Sequence, residues 1–274
     1  MRILIFLLGV ALISSCSQSS SIKFDMKDVD KSFAEVTPRI VLESKGITLI
    51  EAIDFPLFSD CSLQLVSDTS IFQFGPNLIE LKLKNYHLNG STTDQESKEI
   101  RLNSTGQFLY VINNKNNIGK ESDPNFKFDL KRGKNSFFIA PARSYEMSIK
   151  NKESYLAYEL EVFDIKETAK YKEIDEPGVF LCSPSGRYGQ GDSEKLLLDF
   201  FLINTEISAT GNKLRLDIDN KWSFTLDTWV PFYVEGLGNG RHTFSLQLVD
   251  KEGNNIEGGY TSSGPHYISL QTIN

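Results

Sequence analysis

Leu78-Ile79-Glu80-Leu81-Lys82-Leu83 is the stretch that decides the fold class, because apolar and charged side chains alternate from Ile79 to Leu83. Side chains of a β-strand point to opposite faces in turn, so this alternation is typical of an antiparallel strand with one face on the core and one in water. Residues 155–162 alternate in the same partial way. Both segments therefore predict β-strands.

Short apolar runs bounded by turn residues recur along the rest of the chain, and few segments show helical spacing. In the first half, further strands are predicted at 47–53, 61–66, 108–113, 126–130 and 136–140. In the second half, strands are predicted at 179–182, 195–203, 213–218, 222–226, 229–234, 242–249 and 267–271. This spacing predicts an all-β fold of two immunoglobulin-like β-sandwich domains.

A charged stretch divides the two strand-rich regions. Residues 164–177 contain almost no large apolar side chains, and 165–173 could form a short exposed helix. A polar connection of this kind is typical of a linker between domains. We therefore predict an N-terminal β-sandwich domain at 39–163, a linker at 164–177 and a C-terminal immunoglobulin-like domain at 178–274.

The first sixteen residues have the layout of a secretory signal. Arg2 is followed by an apolar run at 3–13 and by Ser14-Ser15-Cys16. The run is too short to span a bilayer, which needs about 20 apolar residues, although a buried core helix could have this length. Ile13-Ser14-Ser15-Cys16 also resembles the lipobox of bacterial lipoproteins. That resemblance implies a signal peptide at 1–15, lipidation of Cys16, a flexible tether at 16–38, and attachment to the cell envelope at the outer membrane.

Composition limits the classes of partner. Hydrophobic residues make up 40% of the 274 residues, and Phe (19) and Tyr (10) far outnumber Trp (2). This composition supports a real core and favours strands. The net charge is −7, so the chain lacks the basic footprint of nucleic-acid-binding proteins. We expect no nucleic-acid partner.

The remaining residues with reactive side chains are scattered. Cys61 and Cys182 could form a disulfide, which export would allow, or could be two separate buried thiols. The three histidines, His87, His242 and His266, have no metal-site spacing, and no catalytic motif is present. The sequence therefore predicts no metal, no cofactor and no catalytic residues.

Two short segments carry candidate binding residues. Arg187 and Tyr188 lie in a glycine-rich segment that we place at one end of a sandwich, where loops often carry recognition. Arg143 and Tyr145 follow a predicted strand and Pro141. They could contact an anion or a sugar, although an arginine at a strand end could equally pair with a carboxylate of the chain.

Several further stretches resemble a family of uncharacterised secreted or lipid-anchored proteins of Bacteroidota, some of which are described as phosphopeptide-binding. The resemblance rests on segments at 179–186, 195–202, 211–213, 228–232, 234–237 and 246–254, together with Gly106-Gln107, Arg143-Ser144-Tyr145 and Ser148-Ile149-Lys150. It covers both predicted domains and implies no defined biochemical role.

The chain departs from this family at three positions. The family carries histidines just after Gly-Gln and just after Arg-Ser-Tyr, where this chain has Phe108, Tyr110 and Glu146. If those histidines bind a metal or an anion, this chain has lost that capacity, because phenylalanine is no ligand and tyrosine is a poor substitute. We keep Tyr110 as a candidate binding residue.

Together these features predict a membrane-anchored envelope lipoprotein with no enzymatic activity. It would act as a binding or scaffold module for a protein, peptide or glycan partner. The alternative is a carboxylate-based glycan-active enzyme or a substrate-capturing subunit, since a sandwich fold does not decide function.

Overall fold

The computed structural model describes residues 40–52, 57–93, 106–163, 169–189 and 195–271. The predicted signal peptide (1–15) and the whole predicted tether with Cys16 (16–38) lie outside the described residues, as do residues 164–168 of the predicted linker. Within the described ranges, no helix has both the length and the apolar character needed to cross a membrane.

The described residues form eighteen strands and one turn of 3₁₀ helix at Thr69–Ile71. The first ten strands are β1 (Ile40–Ser44), β2 (Ile47–Glu51), β3 (Ser62–Leu65), β4 (Gly75–Lys84), β5 (Phe108–Asn113), β6 (Asn117–Glu121), β7 (Asn125–Leu130), β8 (Gly133–Ala142), β9 (Leu156–Val162) and β10 (Lys170–Glu173). The others are β11 (Gly178–Ser183), β12 (Gly186–Tyr188), β13 (Leu196–Ile203), β14 (Lys213–Ile218), β15 (Trp222–Leu226), β16 (Phe232–Glu235), β17 (Gly240–Val249) and β18 (Ser262–Leu270). The all-β prediction is confirmed.

One predicted element is wrong. The short helix suggested for 165–173 is replaced, at Lys170–Glu173, by strand β10, which pairs antiparallel with β9. The pairing brings Lys172 Nζ to 3.1 Å from Glu159 Oε2 and the Tyr171 ring to 6.1 Å from the Tyr158 ring. A lone exposed helix would lack these cross-strand contacts, which explains why the strand forms.

Four sheets stack as two sandwiches. In the first sandwich, the sheet β3-β4-β7 covers one face of the sheet β10-β9-β8-β5-β6. Their shared core contains Leu109, Phe126, Phe137 and Ile139. In the second sandwich, the sheet β1-β2-β16-β13-β11 faces the sheet β12-β18-β17-β14-β15 across a second apolar core.

The two sandwiches also share an apolar junction. Phe138 stacks on Phe180 at 4.6 Å between ring centroids and lies 5.0 Å from Phe201. Tyr110 and Cys182 belong to the same buried cluster. Strands β5, β8, β11 and β13 are therefore covered on both faces, which is why their sequences are nearly continuous apolar runs rather than alternating ones.

The N-terminal hairpin completes the sheet of the second sandwich. Glu51 of β2 pairs with Phe232 of β16, and Ile47 and Leu49 are buried in the second core. This corrects the assignment of β1 and β2 to the predicted domain 39–163, because their apolar side chains fit the core of the second half. Contacts join Pro38–Asn274 into one compact unit. The division of the rest of the chain into two domains stays a prediction.

Candidate functional site

Arg143 and Tyr145, two of the predicted binding residues, are buried at the junction. Arg143 is 2% exposed, and its Nη2 donates to the carbonyl oxygen of Leu57 at 3.1 Å while its Nη1 donates to that of Ser148 at 3.4 Å. Tyr145 is 1% exposed and packs with Met147. These side chains hold the segment after β8 in place and do not face solvent.

Tyr110 is also a structural residue. Its side chain is fully buried, and its Oη donates to the carbonyl oxygen of Glu146 at 2.7 Å. Burial, and then the Glu146 carboxylate, raise the pKa of Tyr110 well above its usual value. Phe108 lies against the Tyr110 ring at 4.8 Å, and Lys120 pairs with Glu146. Phe108, Tyr110 and Glu146 therefore meet at one place in the fold.

A buried ion pair lies beside these residues. Lys150, on the segment after β8, pairs with Asp199 of β13, and both side chains are almost fully buried. Asp199 Oδ2 also accepts from the backbone N–H of Ser148 at 2.8 Å. Removing either charge would leave the other unpaired in the interior, which is costly. The pair therefore connects the first sandwich to the second.

The two cysteines at positions 61 and 182 are buried free thiols, which is one of the two alternatives left open by the sequence, and no disulfide joins them. They lie in two separate apolar clusters. Burial raises the pKa of Cys61 to about 11 and raises that of Cys182 well above its usual value. Both therefore stay protonated at neutral pH, and a thiol in this form is a poor nucleophile.

His266 is neutral and is held inside the second sandwich. Ser263 Oγ accepts from the backbone N–H of Leu181 at 3.2 Å and lies within hydrogen-bonding distance of His266 Nε2, at 2.9 Å. Burial lowers the pKa of His266 to about 4. No group of three or more His, Cys, Asp or Glu in the described ranges could hold a metal ion.

Arg187, by contrast, lies on an exposed sheet face. It is on edge strand β12, which pairs parallel with β18 and places Arg187 beside Ser269. On the other side of Ser269, β17 places Arg241 in register. Both arginines are exposed, and neither makes a hydrogen bond or ion pair with the rest of the described chain. Because neighbouring strands lie about 4.8 Å apart, the two backbones are about 10 Å from each other. We call Arg187, Ser269 and Arg241 the arginine row.

An aromatic side chain lies next to the arginine row. Tyr267, two residues before Ser269 on the same face of β18, is 72% exposed and is in register with Thr243. Further along this face, Arg215 is already neutralised by Asp217 at 3.1 Å. Arg187 and Arg241 have no such carboxylate partner among the described residues.

Tyr188, the other residue predicted in this segment, points the opposite way. It packs on the core of the second sandwich, and its hydroxyl accepts from the backbone N–H of Ser185 at 2.9 Å. Neighbouring residues of a strand face opposite sides. Tyr188 therefore supports the strand, and of the two only Arg187 lies on the exposed face.

The sequence alone does not predict that Arg187 lies near Arg241, Ser269 and Tyr267 on one sheet face. The alternation of β17 and β18 does show that these three side chains face outward, because His242, Ile268 and Leu270 between them are buried. What the sequence lacks is the order of the strands in the sheet. The structure supplies it by placing β18 between β12 and β17.

The arrangement can bind a ligand with two anionic groups. A guanidinium presents several N–H donors in a planar fork that matches a carboxylate, sulfate or phosphate. The exposed Tyr267 ring adds an apolar surface with a polar end. The chemistry that these side chains offer is recognition of an anion.

Comparison with known proteins gives little further guidance. No protein-family model and no curated protein matches the sequence. The chain is similar to the fibronectin(III)-like modules of Clostridium thermocellum CbhA, with 12% identity, coverage of 77% of this chain and 93% of that chain, and a TM-score of 0.26. It is also similar to SGBP-B of a Bacteroides ovatus mixed-linkage glucan utilization locus, solved with a mixed-linkage heptasaccharide, with 10% identity, coverage of 77% and 71%, and a TM-score of 0.19. Similarity this low carries no functional argument.

Proposed function

We propose that this protein is a non-enzymatic binding module that captures an acidic glycan or peptide on the arginine row. The observation that carries the proposal is the pair of exposed arginines, Arg187 and Arg241, on either side of Ser269 with no partner in the described chain. The protein as a whole has a net charge of −7. An uncompensated positive site on an acidic protein selects for anionic ligands and discourages neutral ones.

The proposal includes a place in the cell. The lipobox-like segment ending in Cys16 supports attachment to the envelope at the outer membrane, with 16–38 as a tether. Replacing Cys16 by serine removes the thiol on which the lipid would be built. We expect the variant to leave the membrane fraction or to keep its signal uncleaved. A variant that fractionates and is processed like wild type would contradict the anchor.

The binding proposal is tested with an oligogalacturonate, an aspartate-rich peptide and a neutral oligosaccharide as the reference ligand. We expect at least one acidic ligand to bind, and Arg187→Ala/Arg241→Ala to weaken that binding by about tenfold or more. The control variant, Lys82→Ala/Lys84→Ala, removes the same charge from an exposed face of β4.

The control should bind as wild type does, and binding should weaken as salt is added, since exposed charges are screened. If both double variants lost the same affinity for the acidic ligand, the arginine row would not be the binding site. Equal affinity for neutral and acidic ligands would lead to the same conclusion. No contact among the described residues favours the alternative of a carboxylate-based enzyme.

A further inference from the structure

An apolar surface without a partner lies directly beside the arginine row. On the outward face of β18, Pro265 and Tyr267 are exposed, and the Tyr267 ring makes no contact, hydrogen bond or ion pair with the described chain. The residues that alternate with them, His266 and Ile268, are buried, so Pro265, Tyr267 and Ser269 form one line on this face. The ring is therefore carried by a strand of the sheet and not by a loop.

The position of Tyr267 relative to the two arginines makes it part of the site, since a single exposed apolar side chain does not indicate a ligand on its own. Tyr267 is in register with Thr243 of β17, and Arg241 lies two residues from Thr243 on the same face. Diagonal neighbours of this kind are about 7–8 Å apart, within reach of long side chains. Arg187 has the equivalent position on β12, because it is in register with Ser269. One ligand can therefore contact the ring and both guanidinium groups.

The main chain beneath this face is already used by the sheet. Along Ile268–Leu270, β18 pairs with β12 on one edge and with β17 on the other. A peptide could add a strand only at the outer edge of β12, which is three residues long. It would then lie three strand spacings, about 14 Å, from β17, the strand that carries Arg241. Strand addition, the usual way in which a sheet binds an extended peptide, therefore does not account for a site that uses both arginines.

An acidic sugar has a counterpart on this face for each of its chemical groups. A pyranose ring presents a face of C–H groups, which packs on the electron-rich face of an aromatic ring such as Tyr267. Its carboxylate or sulfate fits the planar fork of an arginine. Its hydroxyls donate and accept, as does the hydroxyl of Ser269, which makes no hydrogen bond with the described residues. An acidic peptide would use the arginines but would gain nothing from its own main chain.

We propose that the ligand of the arginine row is an acidic glycan and not an acidic peptide, and that Tyr267 is the residue that gives this preference. The inference rests on the proposed function and names the ligand class of the same site. One sugar ring stacks on Tyr267, while its anionic group and that of a neighbouring sugar unit bind Arg187 and Arg241. Pro265 extends the apolar surface along β18.

Titration calorimetry on the purified full chain at low salt tests the preference, with an oligogalacturonate and an aspartate-rich peptide that carry the same number of carboxylates. We expect the oligogalacturonate to bind more tightly. Tyr267→Ala should weaken its binding by about tenfold and leave peptide binding unchanged. Tyr267→Phe should keep the wild-type affinity, because stacking uses the ring and not the hydroxyl. The side chain has no described contact, so both variants should fold, and circular dichroism checks this.

The control variant, Tyr171→Ala, removes a second exposed tyrosine from β10, which belongs to a different sheet. It should bind the oligogalacturonate as wild type does, and an equal loss in both tyrosine variants would overturn the inference. Peptide binding as tight as that of the oligogalacturonate, or unchanged oligogalacturonate binding in Tyr267→Ala, would also overturn it. The proposed function would still stand in those cases if Arg187→Ala/Arg241→Ala bound the acidic ligand more weakly. If neither acidic ligand bound the wild type, the proposed function itself would fail.

Discussion

Two arginine–tyrosine groups in this molecule have opposite surroundings. Arg143 and Tyr145 lie at the junction of the two sandwiches, where carbonyl oxygens of Leu57 and Ser148 accept the guanidinium donors. Arg187 lies on an uncovered sheet face beside Tyr267, where no part of the described chain accepts its donors. An arginine and a tyrosine close together in the sequence therefore do not mark a binding site by themselves. A site requires that the rest of the fold leaves their donors unused.

The largest expected loss of stability comes from a substitution at the buried junction. Asp199→Ala removes the partner of Lys150 and an acceptor of the Ser148 N–H. We expect a loss of about 3–5 kcal/mol in the free energy of unfolding, because an unpaired charge would stay in the interior. Urea denaturation followed by circular dichroism measures it.

The matched change on the exposed side is Asp217→Ala, which breaks the surface pair with Arg215. We expect this variant to lose about 1 kcal/mol or less in the free energy of unfolding. If both variants lost the same stability, the junction would not be the buried, energetically distinct region described above.

The next effect is a pH dependence inside the second sandwich. The folded protein holds His266 neutral with a pKa of about 4, whereas a histidine in the unfolded chain titrates near 6.5. Between these values the unfolded state binds more protons, so stability falls as the pH falls from about 6.5 to 4, by an amount on the order of 3 kcal/mol.

Replacing His266 with glutamine should flatten that part of the stability–pH profile, measured by urea denaturation at several pH values. Arg187→Ala/Arg241→Ala should keep the wild-type slope, since these arginines stay charged throughout. A His266→Gln profile as steep as that of wild type would show that another group causes the dependence.

A smaller difference in stability is expected between the removal of a buried and of an exposed tyrosine hydroxyl. Tyr110→Phe removes the hydrogen bond to the Glu146 carbonyl and leaves that oxygen with one donor fewer at the junction, so we expect a loss of about 1–2 kcal/mol. Tyr267→Phe, on the exposed face, should leave the unfolding midpoint unchanged. Thermal or urea unfolding of both variants provides the comparison, and a loss in Tyr267→Phe would mean that its hydroxyl has a structural partner.

The smallest effect on stability should come from the arginine row itself. Arg187→Ala/Arg241→Ala loses no described hydrogen bond, so its unfolding midpoint should match that of wild type. Arg143→Ala, by contrast, should lower the midpoint, because carbonyl oxygens at the junction lose their donors. A large shift in the row variant would assign the two exposed arginines a structural role.

Much of the fold follows from local sequence. The bounds of β5, β14 and β15 agree residue for residue with the predicted 108–113, 213–218 and 222–226. Strand β6 (Asn117–Glu121) was not predicted, because its polar sequence shows no alternation and pairing with β5 defines it. Strand β12 has only three residues, and its pairing with β18 likewise defines it as a strand.

The candidate site was less predictable than the strands. Arg187 was identified from a glycine-rich segment, but its partners Arg241 and Tyr267 lie more than fifty residues later and join it only through the order of the strands. Arg143 was kept as a candidate for ligand binding because its sequence gives no sign that a second sandwich covers the end of β8. Burial between sheets depends on contacts between distant segments, and a local pattern does not contain them.

The pairing of β2 with β16 has a consequence for the order in which the chain folds. The hairpin of β1 and β2 is synthesised well before its partner strand (Phe232–Glu235). Contacts of such high sequence separation form slowly. Until Glu235 is available, β2 presents an unpaired edge with Ile47 and Leu49 uncovered, which is the kind of surface that pairs with other chains. Nascent chains interrupted before residue 232 should therefore be the aggregation-prone species, and a helper protein that shields strand edges would have its greatest effect during that interval.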